Sequence, residues 1–265
     1  MGVNKDLIQN HYVPMGLPVP YQDFQLYPVK VKQSYFWDRN AHILLVDKEY
    51  SNNVEIIQMS YLRYLIEWGV HEQKVLDSLS SILSIVLQLE DRLLELDVNE
   101  KQEFSIVIPK VKQGSDGLKP VYQNAIRISE KEFEEIRKII LFQNVRDWDD
   151  EYVDPDVKKA IDEYYRILNK KGAHVEMERK IAAVMSQTGL TLNEIQEMPY
   201  RMFQNIYDTM VERIDYEILK VAEIHGAEFK KPIEHWVNRN PRNKYDEAFV
   251  SYDKVESKVT GKGKI

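Results

Sequence analysis

Between Val75 and Leu96, apolar side chains return every three or four residues: Val75, Leu76, Leu79, Ile82, Leu83, Val86, Leu89, Leu93 and Leu96. That period stacks them on one face of an α-helix and of no other regular structure. Ile85 and Leu87 widen the arc beyond one stripe, which fits burial against two neighbours rather than one. The segment 71–96 is therefore expected to be one long helix, the longest apolar-rich segment of the chain. It is not a bilayer span, which takes about 20 apolar residues. Serines at 78, 80 and 81 and the charged run Glu90-Asp91-Arg92 interrupt it.

The second half of the chain is punctuated as a series of helices. Ser129-Glu130-Lys131-Glu132 and Thr191-Leu192-Asn193-Glu194 are capping boxes, in which hydroxyl and carboxylate each satisfy a backbone N–H of the first turn. Asp154-Pro155 reads as an N-cap followed by a first-position proline. Gly172, Gly189 and Gly226 read as stops. Pro199 opens a long helix with Phe203, Ile206, Tyr207, Met210, Ile214, Ile218 and Val221 in one stripe.

The first half is more mixed. Pro14, Gly16, Pro18 and Pro20 predict that residues 1–24 form an extended arm leading into the fold. Gln25–Val31 reads as an edge strand, because Pro28 cannot donate to a ladder. A helix is expected from Tyr35 to about Leu45, and another over Ser60–Trp68 with Gly69 as its stop. Phe104–Lys110 and Val121–Ile128, either side of the turn residues Gly114 to Gly117, predict a β-hairpin. The expected fold class is mainly α (α+β): a helical protein with a small antiparallel β element. The expected organisation is an N-terminal arm, β element and long helix over 1–128, a helical domain over 129–249 and a flexible basic tail over 250–265.

Composition removes several chemistries. The chain has no cysteine, so thiolate catalysis, disulfides and Cys-ligated metals are out. None of its six histidines lies at the three-to-five spacing of a helical zinc pair. The acidic run Asp147–Asp156 has Tyr152 and Lys158 where a calcium loop starting at Asp147 needs Gly and Glu. No glycine-rich phosphate loop and no nucleophile elbow occurs. No enzyme activity, metal or cofactor is expected. A net charge of −7 argues against nucleic acid. The basic, aromatic Lys230–Tyr245 is read as a loop between packed pieces, with single-strand binding as its rival. The first residues have no apolar leader, and Asp6 stands where a myristoylation signal needs Ser or Thr. What remains is a protein that binds other proteins. The first candidates for that surface are Leu79, Ile82, Ile85, Val86 and Leu87 on the 71–96 segment.

Two stretches carry a resemblance. One comprises Gly16-Leu17-Pro18-Val19-Pro20-Tyr21, Leu26-Tyr27-Pro28-Val29 and Met59–Leu65. The other runs from Met185-Ser186-Gln187-Thr188-Gly189-Leu190-Thr191 through Glu194 to Phe203. Together they resemble tail-assembly-chaperone-type proteins of tailed phages of Gram-positive hosts. The resemblance implies a partner among phage tail proteins, the tape-measure protein first, whose apolar helices such proteins hold soluble in the host cytoplasm. It leaves open self-association and the alternative of a structural component of the tail or baseplate. No membrane partner is expected.

Overall fold

The computed structural model describes residues 4–48, 51, 53–89, 94–100, 102–108, 111–112, 121–122, 126–146, 148, 150, 155–169, 175–229 and 231–238. The expected tail 250–265, the hairpin turn and most of the acidic run lie outside the described residues. The protein is mainly helical with small antiparallel sheets, the expected class.

The chain divides into two units, 1–146 with 190–205 and 147–189 with 206–265. This departs from the boundary expected at 128/129, and the reason is the helix that follows it. α8 (Glu130–Asn144) buries Phe133, Ile136, Ile139, Ile140, Leu141 and Phe142, so it is the centre of the first unit's core and not the start of a second domain.

The arm expected to be extended is folded: in the first unit, α1 (Lys5–Leu7), a π-helical turn (Ile8–Tyr12) and α2 (Val13–Met15) run continuously into Gly16, which caps them at φ 63°. β1 (Val19–Tyr21) and β2 (Phe24–Leu26) form a tight hairpin with Tyr21 opposite Phe24. The strand expected over Gln25–Val31 therefore ends at Leu26. Beyond it, the backbone is held by other elements: Tyr27 N–H donates to Val86 O at 2.8 Å and Val31 N–H to Met198 O at 2.9 Å. The Tyr35–Leu45 helix is two pieces, α3 (Ser34–Asn40) and α4 (His42–Leu45), followed by α5 (Val54–Gln58).

α6 (Tyr61–His71) and α7 (Gln73–Val86) pack against each other, and α6 also packs on α8. Gly69 lies in the last turn of α6, two residues before its end, and the side chain of Leu76 sits over it. α7 is shorter than the expected 71–96. It stops in a reciprocal cap in which Leu89 N–H donates to Ser84 O at 3.0 Å and Gln88 N–H to Ile85 O at 3.3 Å. Gln88 takes the left-handed position, φ 52°, that glycine usually fills. Leu96 consequently lies in β3 (Glu95–Val98) and not on a helix.

The expected hairpin is present and carries a third strand. β4 (Phe104–Ile108) pairs with both β3 and β7 (Ile126–Ser129), giving the order β3-β4-β7. β5 (Val111–Lys112) and β6 (Val121–Tyr122) pair antiparallel farther along. The third strand is thus β3, not Gln25–Val31. Ser129 then caps α8: its backbone N–H donates to Glu132 Oε2 at 2.8 Å, and Glu132 N–H returns to Ser129 Oγ. α11 (Leu192–Glu197) has the matching box from Thr191 to Glu194.

The second unit holds α9 (Pro155–Asn169), α10 (Met177–Thr188), the part of α12 (Tyr200–Ile224) from residue 206, and a short 3-10 turn at Trp236–Asn238. Gly189 and Gly226, at φ 73° and 91°, cap α10 and α12. No described helix is long and apolar enough to cross a membrane.

Candidate protein-binding surface

Three of the five residues singled out on α7 are core. Leu79, Ile82 and Val86 are 2 %, 0 % and 0 % exposed, so no partner reaches them in the folded protein. The helical period places them on one face, but that face is the one turned to α3, α4 and α6. Ile85 and Leu87 are half-buried. Ile85 lines a shallow cleft of about 400 Å³ with Lys30, Lys32, Gln33, Ser84 and Gln88. Its two lysines are already engaged by Glu197, Lys30 at 2.7 Å. Hydrogen bonds from Lys30 and Lys32 hold the Glu197 carboxyl down at about 2.

A second cleft, of about 290 Å³, has the residue types of a catalytic site without their arrangement. Ser78 Oγ donates to Asn40 Oδ1 at 2.8 Å, and an amide oxygen is no general base. His42 Nδ1 is 3.1 Å from Arg39 O, and Trp68 Nε1 donates to Glu72 at 3.2 Å. Nothing in this cleft activates the serine hydroxyl. Among the described residues, no group of three carboxylate or imidazole side chains is close enough to share a metal ion.

α12 is different. Its first turn is fixed in the first unit. Tyr200 N–H donates to Val29 O at 2.7 Å, Arg201 donates to Phe142 O, and Gly16 packs on Pro199 so closely that a Cβ would come to 2.8 Å from Pro199 Cγ. Tyr200 donates its hydroxyl to Asp38 Oδ2 at 3.0 Å. Burial, then the Asp38 charge, push that hydroxyl up to about 12. Phe203 is fully buried.

From there the same apolar stripe continues into water. Ile206, Tyr207 and Met210 are half-buried, whereas Ile214, Ile218, Val221 and Ile224 are 40 %, 61 %, 54 % and 81 % exposed. Val211 is exposed beside them. Isolated exposed aliphatics are ordinary; a row of them along one helix face is a mark of an interaction surface. The described chain beyond the helix folds back on a different side. The His235 ring lies 4.7 Å from the ring of Tyr216 and stacks on Trp236 at 5.6 Å. At about 100° per residue, Tyr216 is nearly opposite Ile214 and Ile218. The described part of the Lys230–Tyr245 segment therefore lays the His235 ring on Tyr216 of the preceding helix, with Trp236 stacked on His235. The sequence periodicity included Ile214, Ile218 and Val221, but period alone does not say whether a stripe is covered.

No protein-family model, no curated protein and no solved structure matches this chain.

Proposed function

We propose that this chain is a non-catalytic protein-binding protein of phage tail morphogenesis that keeps the tape-measure protein soluble in the host cytoplasm during tail assembly. The phage assignment rests on the resemblance of Gly16–Tyr21, Met59–Leu65 and 185–203 to tail-assembly chaperones. The binding role rests on one observation: Ile214, Ile218, Val221 and Ile224 stand in water on one face of α12. A helix laid along such a face presents anchors at the same three- and four-residue spacing. Each aliphatic side chain so covered is worth about 1.5–3 kcal/mol. The surface is thus moved from α7, the first candidate, to α12.

The test is co-expression of the tape-measure protein of the same phage with the wild-type chain and with Ile218→Asp. The expected result is a soluble tape-measure protein with the wild type and an aggregated one with the variant, whose own melting curve is unchanged. A tape-measure protein equally soluble without the chain overturns the reading. Mass spectrometry of purified virions separates the alternative, since a structural tail or baseplate component is present there in fixed copy number.

A further inference from the structure

The three-stranded sheet of the first unit ends in a free edge. β3 pairs with β4 on one side and, among the described residues, with no strand on the other. Hydrogen-bonded and non-bonded pairs alternate along an antiparallel ladder. Asn99 N–H donates to Glu103 O at 3.1 Å, which fixes the alternation. Leu96–Ile106 and Val98–Phe104 are then the non-bonded pairs, and Phe104 N–H does turn away from β3, donating to Glu130 Oε1 at 2.8 Å. The backbone N–H and C=O groups of Leu96 and Val98 therefore point out of the sheet, and among the described residues no hydrogen bond reaches them. The two side chains lie on the face that buries Ile106 and Ile128, yet they are 43 % and 51 % exposed. The apolar face of the sheet thus runs past the core that covers it. Edge strands are commonly blunted by lysine or proline, and Glu95–Val98 contains neither.

The opposite face of β3 narrows what can pair there. Asp97 is bound by Arg127, whereas Glu95 is exposed and has no ion pair. A second copy of β3 leaves it so. Two-fold pairing that keeps the apolar faces together sets Leu96 against Leu96 or Asp97 against Asp97. Glu95 then stands opposite the second copy's Asp97 or Asn99 and gains no cation. We propose that the free edge of β3 takes a fourth strand from a partner protein, an extended segment in which apolar residues alternate with lysine or arginine. The incoming backbone bonds the outward groups of Leu96 and Val98. Its apolar side chains extend the face that these two begin, and a cation meets Glu95 on the other. This site lies in the first unit and does not depend on the α12 stripe or on the assembly reading.

Labelled peptides of about seven residues, too short to be helical in water, test it. One alternates valine with lysine and another valine with glutamate, and each is titrated against the full chain by fluorescence anisotropy. The lysine peptide is expected to bind about fivefold tighter at low salt, with the gap narrowing as salt rises. Two further lysine peptides are N-methylated, one at every valine and one at every lysine. Only one of these sets faces β3, so one peptide is expected to lose binding and the other to keep most of it. These peptides leave the protein untouched, so the test does not hang on a variant that folds. Val98→Pro removes an outward N–H and no ladder bond, and is expected to abolish binding at an unchanged melting temperature. Glu95→Lys is expected to reverse the preference between the lysine and glutamate peptides. Binding that survives both N-methylated sets, or Val98→Pro, overturns strand addition, and equal affinity for the two charge types overturns the choice of partner. Loss of binding in Ile218→Asp places the peptide on α12 and overturns the location. A dimer in sedimentation that Val98→Pro dissociates assigns the edge to a second copy and overturns the proposal.

Discussion

Gly69 and Leu76 meet across the corner between α6 and α7: a Cβ on Gly69 would stand 2.5 Å from Leu76 Cγ. The glycine is in the last turn of α6, where alanine is intrinsically better by up to about 1 kcal/mol. Overpacking of a contact this close costs about 1–3 kcal/mol. Gly69→Ala is therefore expected to destabilise the protein in urea melts. In a Leu76→Ala background the obstruction is gone and only the propensity remains, so the same substitution is expected to stabilise. A Gly69→Ala change of the same sign in both backgrounds would show that Leu76 is not what requires the glycine.

Gln88 supplies a second backbone test. It holds the left-handed position of the α7 cap at φ 52° with an exposed side chain. That conformation costs a non-glycine residue about 1–2 kcal/mol, against about 0.5–1 kcal/mol for the extra chain entropy of glycine. Gln88→Gly is expected to raise stability by about 0.5 kcal/mol. A loss of stability would mean that the glutamine side chain contributes to the cap.

Tyr200 predicts an alkaline limit. Its hydroxyl ionises at about 12 in the folded protein and near 10.0 when unfolded. A raised value means that the folded state keeps the proton longer. Its contribution is fully present below pH 10 and is lost as pH rises from 10 towards 12. Tyr21 and Tyr61, both raised first by burial, act in the same direction. Denaturation midpoints are expected to fall steeply above pH 10, and Tyr200→Phe is expected to flatten part of that slope. An unchanged slope in the variant would remove Tyr200 from the account.

These same residues explain what was legible in the sequence. The capping boxes at Ser129 and Thr191 were legible because their hydrogen bonds are local, within four residues. The hairpin between β4 and β7 was legible from alternation and turn residues. Gly69 was misread as a stop because its role is set by Leu76 on another helix. The end of α7 was missed because Gln88 makes a cap that is normally written with glycine, as at Gly16 and Gly226. β3 was absorbed into the helical pattern because Leu89, Leu93 and Leu96 extend the same period past the cap. The stripes on α7 and α12 were both visible, but which one is covered depends on the packing of distant elements.

That difference gives the decisive pair of substitutions. Ile82 on α7 is fully buried, and Ile218 on α12 is 61 % exposed. Truncating Ile82 to alanine removes buried methyl groups and leaves a cavity among α3, α4 and α6, at about 2–5 kcal/mol. Truncating Ile218 removes little that folding has buried, so its effect on stability is expected within about 0.5 kcal/mol. Binding should show the opposite order. At temperatures where both variants are folded, Ile82→Ala is expected to leave partner affinity near wild type. Ile218→Ala is expected to weaken it about tenfold, the equivalent of about 1.4 kcal/mol of lost apolar burial. Chemical denaturation and an affinity titration on the same two variants read both quantities. If Ile82→Ala, still folded, lost affinity while Ile218→Ala kept it, the partner would be bound through α7 after all. The core that α7 builds would then have to open for binding, and its amide exchange would have to be faster than its burial implies.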